Sequence, residues 1–261
     1  MEAVQPILGG APPSLAGLRR GELHLWCAAP DPAAAGALAR LLPEPELARY
    51  RALAHEPRRS EYLRTRALVR QALSAYAETP PPAWRFREGP HGRPELDPPS
   101  PLRFNLSNCD GLVTCLVALE REVGVDVEPA AHGADALALA PAILSPAEQE
   151  VLAGLASPRQ REAHALTLWT LKESYLKARG LGLSLPVGAL TFTLAAGAIS
   201  LTAAPQADPA AERWSFASFE LGPHRIAVTA GPGPDLRGPA RLVLYPDPGV
   251  DSTSGSKWSG V

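Results

Sequence analysis

A run from Trp169 to Pro186 constrains the fold more than any other part of this chain: Trp-Thr-Leu-Lys-Glu-Ser-Tyr-Leu-Lys-Ala-Arg-Gly-Leu-Gly-Leu-Ser-Leu-Pro. It predicts a helix with apolar residues on both sides: Leu168, Leu171, Tyr175 and Ala178 on one, and Leu166, Trp169 and Leu176 around Glu173 on the other. A helix of this kind is buried, and a buried carboxylate costs several kcal/mol unless a cation meets it. Glu173 therefore needs a partner, either Lys177 one turn further on or a metal ion. The alternative is an i,i+4 pair on a solvated face, which stabilises a helix by roughly a few tenths of a kcal/mol.

An upstream segment, Val123–Glu128, alternates strictly between valine and other residues. The pattern predicts a strand with valines on one face and with Gly124, Asp126 and Glu128 on the other. Carboxylates two residues apart on one face stand about 7 Å apart at the backbone, so both can reach one Mg²⁺. Two acids on a solvent-facing edge strand give the same pattern, so this segment alone does not establish a metal site.

Together, the two segments resemble the phosphopantetheinyl transferases of the surfactin-synthetase-activating type. Gly124-Val-Asp-Val-Glu128 matches the family's G-[IV]-D-[IV]-E strand, and Trp169–Pro186 fills every fixed position of its W-[ST]-x-K-E-[SA]-[FY]-x-K-x-x-G-x-G-L-S-L-P helix. Gly92-Arg93-Pro94 and Phe104-Asn-Leu-Ser107 extend the resemblance upstream. It implies an enzyme that transfers 4′-phosphopantetheine from coenzyme A to a serine of an acyl or peptidyl carrier protein.

The resemblance also implies roles for individual residues. Asp126, Glu128 and Glu173 would hold Mg²⁺, with Mn²⁺ as an alternative, and the implied catalytic residues are Glu173, Lys177 and Asp126. Glu173 would also take the serine proton, directly or through water, although a metal-bound carboxylate is a poor base. The implied coenzyme contacts are Arg58, Arg59, Arg93, Asn105, Ser107, Asn108, Lys172 and Lys177. Because Lys172 and Lys177 lie about 140° apart on a helix, only Lys177 shares the Glu173 side and suits the pyrophosphate.

The upstream positions match less completely. Arg93 fills the cation position of the family's G-[KR]-P, although a plain basic turn has the same sequence. Arg58 and Arg59 begin an Arg-rich helix that is predicted from Arg58 to Tyr76. In the family, basic residues near the start of this helix hold the 3′-phosphate of coenzyme A. The alternative is that these arginines only form a solvated helix face. Asn108 replaces the histidine of the family's F-N-[IL]-S-H-S and can donate a hydrogen bond without carrying charge. We therefore expect weaker coenzyme binding at this position.

Composition excludes other classes of protein. The formal net charge of −2 argues against a basic surface for nucleic acid, and no apolar run is long enough to cross a membrane. The first residues lack a signal peptide, so we expect a cytoplasmic protein, and we expect a monomer. Cys27, Cys109 and Cys115 should then be free thiols, without a histidine placed to complete a zinc site.

The order of predicted elements indicates an α+β fold. Ser145 and Ser157 each begin a capping box followed by proline, which places two helix starts. Alternating segments from Ala189 onward predict strands, with turns at Ala196-Gly197 and Leu221–His224. The resemblance implies two similar lobes related by a pseudo-twofold axis, with antiparallel sheets and the site between them. We divide the chain into an N-terminal, coenzyme-binding lobe (1–122), a C-terminal lobe with the metal ligands and catalytic helix (123–250) and a disordered tail (251–261).

Two other functions fit the same acids. A Mg²⁺-dependent phosphodiesterase would use water as its nucleophile. A non-catalytic module that binds a carrier protein or coenzyme A would tolerate the loss of a metal ligand, and none of the three is missing here.

Overall fold

The computed structural model describes residues 6–8, 18–89, 91–182, 185–195, 198–204, 206–232, 240–247 and 250. The strands in these residues are β1 (Pro6–Leu8), β2 (Glu22–Ala28), β3 (Phe86–Glu88), β4 (Pro94–Leu96), β5 (Leu102–Cys109), β6 (Leu112–Leu119), β7 (Val123–Pro129), β8 (Leu190–Ala195), β9 (Ala198–Ala203), β10 (Ser215–Leu221), β11 (His224–Ala230) and β12 (Arg241–Pro246). The helices are α1 (Ala35–Ala39), α2 (Glu44–Ala52), α3 (Glu56–Ser74), α4 (Gly133–Ile143), α5 (Pro146–Gly154) and α6 (Pro158–Arg179). The predicted turn at Ala196-Gly197 and the predicted disordered tail lie outside the described residues.

The strands form two larger sheets and two hairpins. The five-stranded sheet has the order β1-β12-β2-β6-β5, the three-stranded sheet has the order β10-β11-β7, and β3-β4 and β8-β9 are separate hairpins. Every pairing is antiparallel except those of β12 with β1 and β2. The predicted α+β fold with antiparallel sheets is confirmed.

Strand β12 crosses the predicted division of the chain. It belongs by sequence to residues 123–250, yet it pairs along its whole length with β2 of residues 22–28. The five-stranded sheet therefore combines strands from both parts of the predicted division. The division into two similar lobes stays a prediction.

The two larger sheets pack face to face around a shared apolar core. Leu25 and Leu116 of the five-stranded sheet meet Val125 and Val228 of the three-stranded sheet, and all four are almost completely buried. Helix α3 covers the outer face of the first sheet, and α6 covers the outer face of the second. A leucine-sized side chain buried in this way contributes roughly 1.5–3 kcal/mol, so the four layers hold α6 firmly against β7.

Helix α6 has the start and end that its sequence predicts. The Ser157 side chain accepts a hydrogen bond from the Gln160 N–H at 3.2 Å, and the Gln160 side chain accepts one from the Ser157 N–H at 3.1 Å. The helix ends at Gly180, which has a left-handed φ of 62°. Ser145 and Glu148 form the same capping box at the start of α5, so both predicted helix starts are confirmed.

Candidate active site

The site forms where helix α6 crosses strand β7. Gly124 has no side chain at the crossing, and the backbone of Ser174 and Ala178 lies directly against it. Two residues further along β7, Asp126 faces the same helix. The crossing therefore brings the acidic strand against the turn of α6 that carries Glu173 and Lys177.

Asp126 is the centre of the contacts. Its Oδ1 accepts a hydrogen bond from the Lys177 ammonium at 2.6 Å and one from the Ser107 hydroxyl at 3.1 Å. Its Oδ2 is buried and has no hydrogen-bond partner among the described residues. A buried carboxylate oxygen without a donor is costly, so Oδ2 is the oxygen with spare capacity for a cation.

The other two predicted acids lie close enough to affect one another. Burial raises the pKa of the half-buried Glu173 carboxyl, and the charges of Asp126 and Glu128 raise it further, while Lys177 opposes them. The Glu128 carboxylate lies 2.9 Å from Nδ1 of His132, one turn along the chain. The negative charges of the three carboxylates therefore act on one another, and a cation bound among them would be favoured.

The structure does not gather these acids into a finished metal site. Within the described ranges, no group of three His, Cys, Asp or Glu side chains is placed to hold a metal ion. Lys177 and Ser107 hold Asp126, and His132 lies beside Glu128, so the two acids of β7 already have protein neighbours. The donor set nevertheless consists of hard carboxylate oxygens, which suits Mg²⁺. The three thiols, Cys27, Cys109 and Cys115, are free as predicted.

Two side chains of β5 link its sheet to β7. The Asn105 Oδ1 accepts a hydrogen bond from the Val125 N–H at 2.9 Å, and the Ser107 Oγ accepts one from the Val127 N–H at 3.2 Å. Both side chains are almost completely buried. The structure thus places Asn105 and Ser107 beside the acidic strand.

Lys172 does not lie with the other predicted coenzyme contacts. Its ammonium is completely buried and lies 2.6 Å from the Glu148 carboxylate. It also donates hydrogen bonds to three backbone carbonyls, those of Ile143, Val187 and Leu190. An ammonium has only three N–H groups, so none remains for a phosphate, and the prediction of a coenzyme contact at Lys172 does not fit this geometry.

Arg93 lies at the C-terminal turn of α6. Its guanidinium donates to the Ala178 carbonyl and to the Glu122 carboxylate, both at 2.7 Å. It lines an open groove of about 210 Å³ together with Arg87, Arg103 and Phe104. Arg93 is thus positioned next to α6, with two further arginines along the same groove.

The start of α3 faces the end of the β5-β6 hairpin. The Asn108 amide donates to the Glu61 carboxylate. Burial and the charge of Asp110 raise the pKa of Glu61, and Arg58 is close enough to oppose them. Arg59 pairs with Glu56, one turn before it on the same helix. Arg58 and Asn108 therefore lie near one another, at one end of the site.

The contacts of site residues that the sequence did not predict include His132 beside Glu128, Glu61 beside Asn108, and Glu122 beside Arg93. The first has a signal, because Glu128 and His132 are four residues apart. The other two join distant segments and have no such signal.

Among the described helices, none is both long and apolar enough to cross a membrane.

Comparisons with known proteins identify the family of the chain. Residues 122–229 match the family model of the 4′-phosphopantetheinyl transferase superfamily. The chain is 33% identical over 178 residues to the 4′-phosphopantetheinyl transferase HetI of Nostoc sp. (strain PCC 7120), covering 66% of this chain and 74% of that protein. It is 34% identical over 124 residues to the 4′-phosphopantetheinyl transferase AcpT of Escherichia coli (strain K12), covering 48% of this chain and 60% of that protein. A solved holo-[acyl-carrier-protein] synthase from Neisseria meningitidis has a TM-score of 0.36 and 19% identity, covering 42% of this chain and 95% of that one.

The family match includes β7 and α6, and with them Asp126, Glu128, Glu173 and Lys177. The relative from Nostoc shares a third of its aligned residues with this chain over 74% of its own length. On these grounds, the chain belongs to the 4′-phosphopantetheinyl transferase superfamily.

Proposed function

We propose that this chain is a transferase of the surfactin-synthetase-activating type, which moves 4′-phosphopantetheine from coenzyme A to a serine of an acyl or peptidyl carrier protein. The observation that supports this most directly is the 2.6 Å contact between the Lys177 ammonium and Asp126, with Glu173 one turn earlier on the same helix. Phosphoryl transfer chiefly requires alignment of the reactants and positive charge beside the phosphate oxygens. The crossing of β7 and α6 offers both acidic ligands and a fixed cation.

Lys177 has the capacity to bind the substrate's pyrophosphate. Two of its three N–H groups are directed to Asp126 and Ser107, at 2.6 and 2.9 Å. Its side chain is 30% exposed, so the third N–H can reach a phosphate oxygen. Lys177 would neutralise charge on the pyrophosphate or on the leaving nucleotide.

Glu173 is suited to accept the proton of the attacking serine. Its pKa is raised by burial and by the neighbouring carboxylates, which makes the metal-free carboxylate a stronger base than an ordinary glutamate, whereas a Mg²⁺ ion bound to it would lower that pKa. It would take the proton directly or through one water.

Asp126, Glu128 and Glu173 would hold Mg²⁺, with Asp126 Oδ2 as an available oxygen. When bound, that ion would act as Lewis acid and template for the pyrophosphate. The phosphates of coenzyme A would lie near Arg93 and the groove beside it, with Arg58 and Arg59 as candidates for the 3′-phosphate. The carrier protein, the cytoplasmic location and the monomeric state stay predictions.

The test is the mass of a purified apo carrier protein after incubation with the chain, coenzyme A and Mg²⁺. We expect addition of one phosphopantetheine by wild type, and a rate reduced at least about a hundredfold in Asp126→Asn and in Glu173→Gln. Glu150→Gln is the matched control, because Glu150 is an exposed carboxylate on α5 away from the crossing.

Other outcomes separate the rival functions. Hydrolysis of coenzyme A without any carrier would indicate a phosphodiesterase. Binding of carrier or coenzyme without a mass change, equally in wild type and both variants, would indicate a non-catalytic module. Either result would contradict the proposal.

A further inference from the structure

The two larger sheets meet at their edges beside the candidate site. Strand β5 is the last strand of the five-stranded sheet, and β7 is the last strand of the three-stranded sheet. An edge strand presents backbone N–H groups that need partners. Here the N–H groups of Val125 and Val127 donate to side chains, those of Asn105 and Ser107, instead of to another strand.

The hydroxyl of Ser107 is fully used within the protein. A serine hydroxyl has one donor and two acceptor positions. Ser107 Oγ donates to Asp126 Oδ1 at 3.1 Å, and it accepts from the Lys177 ammonium at 2.9 Å and from the Val127 N–H at 3.2 Å. No position remains for a phosphate oxygen of the coenzyme, so the sequence-based role of Ser107 as a coenzyme contact does not fit these contacts.

The same three contacts fix the orientation of Asp126. Both side chains are almost completely buried, Ser107 at 6% and Asp126 at 4% exposure, so they have little freedom to turn. Ser107 and Lys177 both bind Oδ1, which leaves Oδ2 as the unpartnered oxygen. Without the hydroxyl, only the flexible lysine side chain would hold the carboxylate in this orientation.

We propose that Ser107 is a positioning residue, which acts through Asp126 by turning Oδ2 toward the place of the divalent cation. The inference rests on the proposed function in one respect, the binding of Mg²⁺ by Asp126. It assigns Ser107 to metal affinity rather than to affinity for coenzyme A.

The experiment measures Mg²⁺ binding to the full chain by isothermal titration calorimetry, without coenzyme A or carrier. Ser107→Ala should bind Mg²⁺ about tenfold more weakly, because a hydrogen bond to a charged group is lost. Ser107→Thr keeps the hydroxyl and should remain within about threefold of wild type. Thr114→Val is the matched control: the Thr114 hydroxyl donates to the backbone carbonyl of Ser107 at 3.0 Å and leaves its side chain untouched, so Mg²⁺ affinity should not change.

Two further readouts separate positioning from general loosening. Hydrogen exchange at the Val127 amide should accelerate in Ser107→Ala, since that N–H loses its acceptor. The KM for coenzyme A at saturating Mg²⁺ should stay within about twofold of wild type. A raised KM with unchanged Mg²⁺ affinity would make Ser107 a coenzyme contact and overturn the inference. Equal losses in Ser107→Ala and Thr114→Val would overturn it too, and so would a wild-type chain that binds no Mg²⁺.

The Mg²⁺ titration does not depend on the transfer reaction. If wild type binds Mg²⁺ and Ser107→Ala binds it more weakly, the inference stands even where no carrier is modified, and only the proposed function fails. If wild type modifies the carrier and Ser107→Ala binds Mg²⁺ as tightly as wild type does, the inference alone fails.

Discussion

Gly124 of β7 lies in direct backbone contact with Ser174 of α6. A Cβ atom built at Gly124 would be 1.9 Å from the Ser174 carbonyl oxygen and 2.6 Å from the Ala178 nitrogen. Non-bonded atoms do not approach one another this closely, so the helix can lie at this distance only over a glycine. The position of Gly124 therefore sets how closely Asp126 approaches the helix turn that carries Glu173 and Lys177.

We predict that Gly124→Ala displaces α6 and lowers the free energy of unfolding by about 2–4 kcal/mol, more than ordinary overpacking, because the clash is with backbone. Transfer activity should fall with it. Gly36→Ala is the matched control: a Cβ at Gly36 meets nothing within 4 Å, and alanine in a helix should stabilise by about 0.5–1 kcal/mol. Urea unfolding of both variants measures the effect. Wild-type stability in Gly124→Ala would show that the helix does not depend on this close approach.

The features of the site that could be predicted are those that depend on short-range sequence patterns. The alternating valines predict β7, the capping box at Ser157 predicts the start of α6, and helical spacing places Glu173 and Lys177 on one side. These features depend on periods of two and 3.6 residues, which need no knowledge of the rest of the chain.

The parts that could not be predicted depend on contacts between distant segments. Lys172 and Lys177 are both lysines of one motif, and only the packing of α5 and β8 shows that Lys172 is buried against Glu148. The parallel pairing of β12 with β2 likewise joins segments more than 200 residues apart. Ser107 looked like a substrate contact because the sequence does not show that its hydroxyl is already shared with Asp126.

The buried pair of Lys172 and Glu148 gives a second prediction. Lys172→Met leaves the Glu148 carboxylate buried without its cation, so we expect a loss of about 3–5 kcal/mol of unfolding free energy. The double variant Lys172→Met with Glu148→Gln should lose less than the sum of the single variants, because no unpaired charge remains. The KM for coenzyme A of the folded fraction should not change. A raised KM with unaltered stability would restore Lys172 as a coenzyme contact.

Asp208 gives a prediction about pH. Burial by itself raises the pKa of this carboxyl, but hydrogen bonds from Tyr175, the Ala210 N–H, Arg179 and Trp214 outweigh it, and the net pKa is lowered. Because the pKa of the folded state lies below that of the unfolded state, Asp208 stabilises the fold above its unfolded pKa, near 3.9, and this stabilisation is lost as the pH falls through the folded pKa. Asp208→Asn should therefore destabilise by about 2–3 kcal/mol at neutral pH, with a difference that narrows below about pH 4.

Urea unfolding of wild type and Asp208→Asn across this pH range makes the measurement. Asp135→Asn is the control, since Asp135 is an exposed carboxylate in the first turn of α4. A difference between wild type and Asp208→Asn that stays constant down to pH 3 would mean that the charge of Asp208 does not stabilise the fold.

The last prediction concerns Asn108, which donates its amide hydrogen to Glu61 across the gap between the hairpin and α3. If this position contacts the nucleotide, Asn108→His should tighten coenzyme A binding several-fold at low pH, because an imidazolium makes a charge-assisted bond to phosphate. Binding should weaken as the pH rises through the imidazole pKa. Since the Glu61 carboxylate lies beside this position, we expect that pKa to be above 6.5, so the pH-dependent step in coenzyme A affinity falls closer to neutral pH.

Adding Glu61→Gln to Asn108→His removes the carboxylate and should move this step back toward about pH 6.5. Coenzyme A titrations at about pH 6 and pH 8 compare wild type, the single variant and the double variant. Equal affinities with equal pH dependence in all three would mean that this hairpin does not contact the nucleotide.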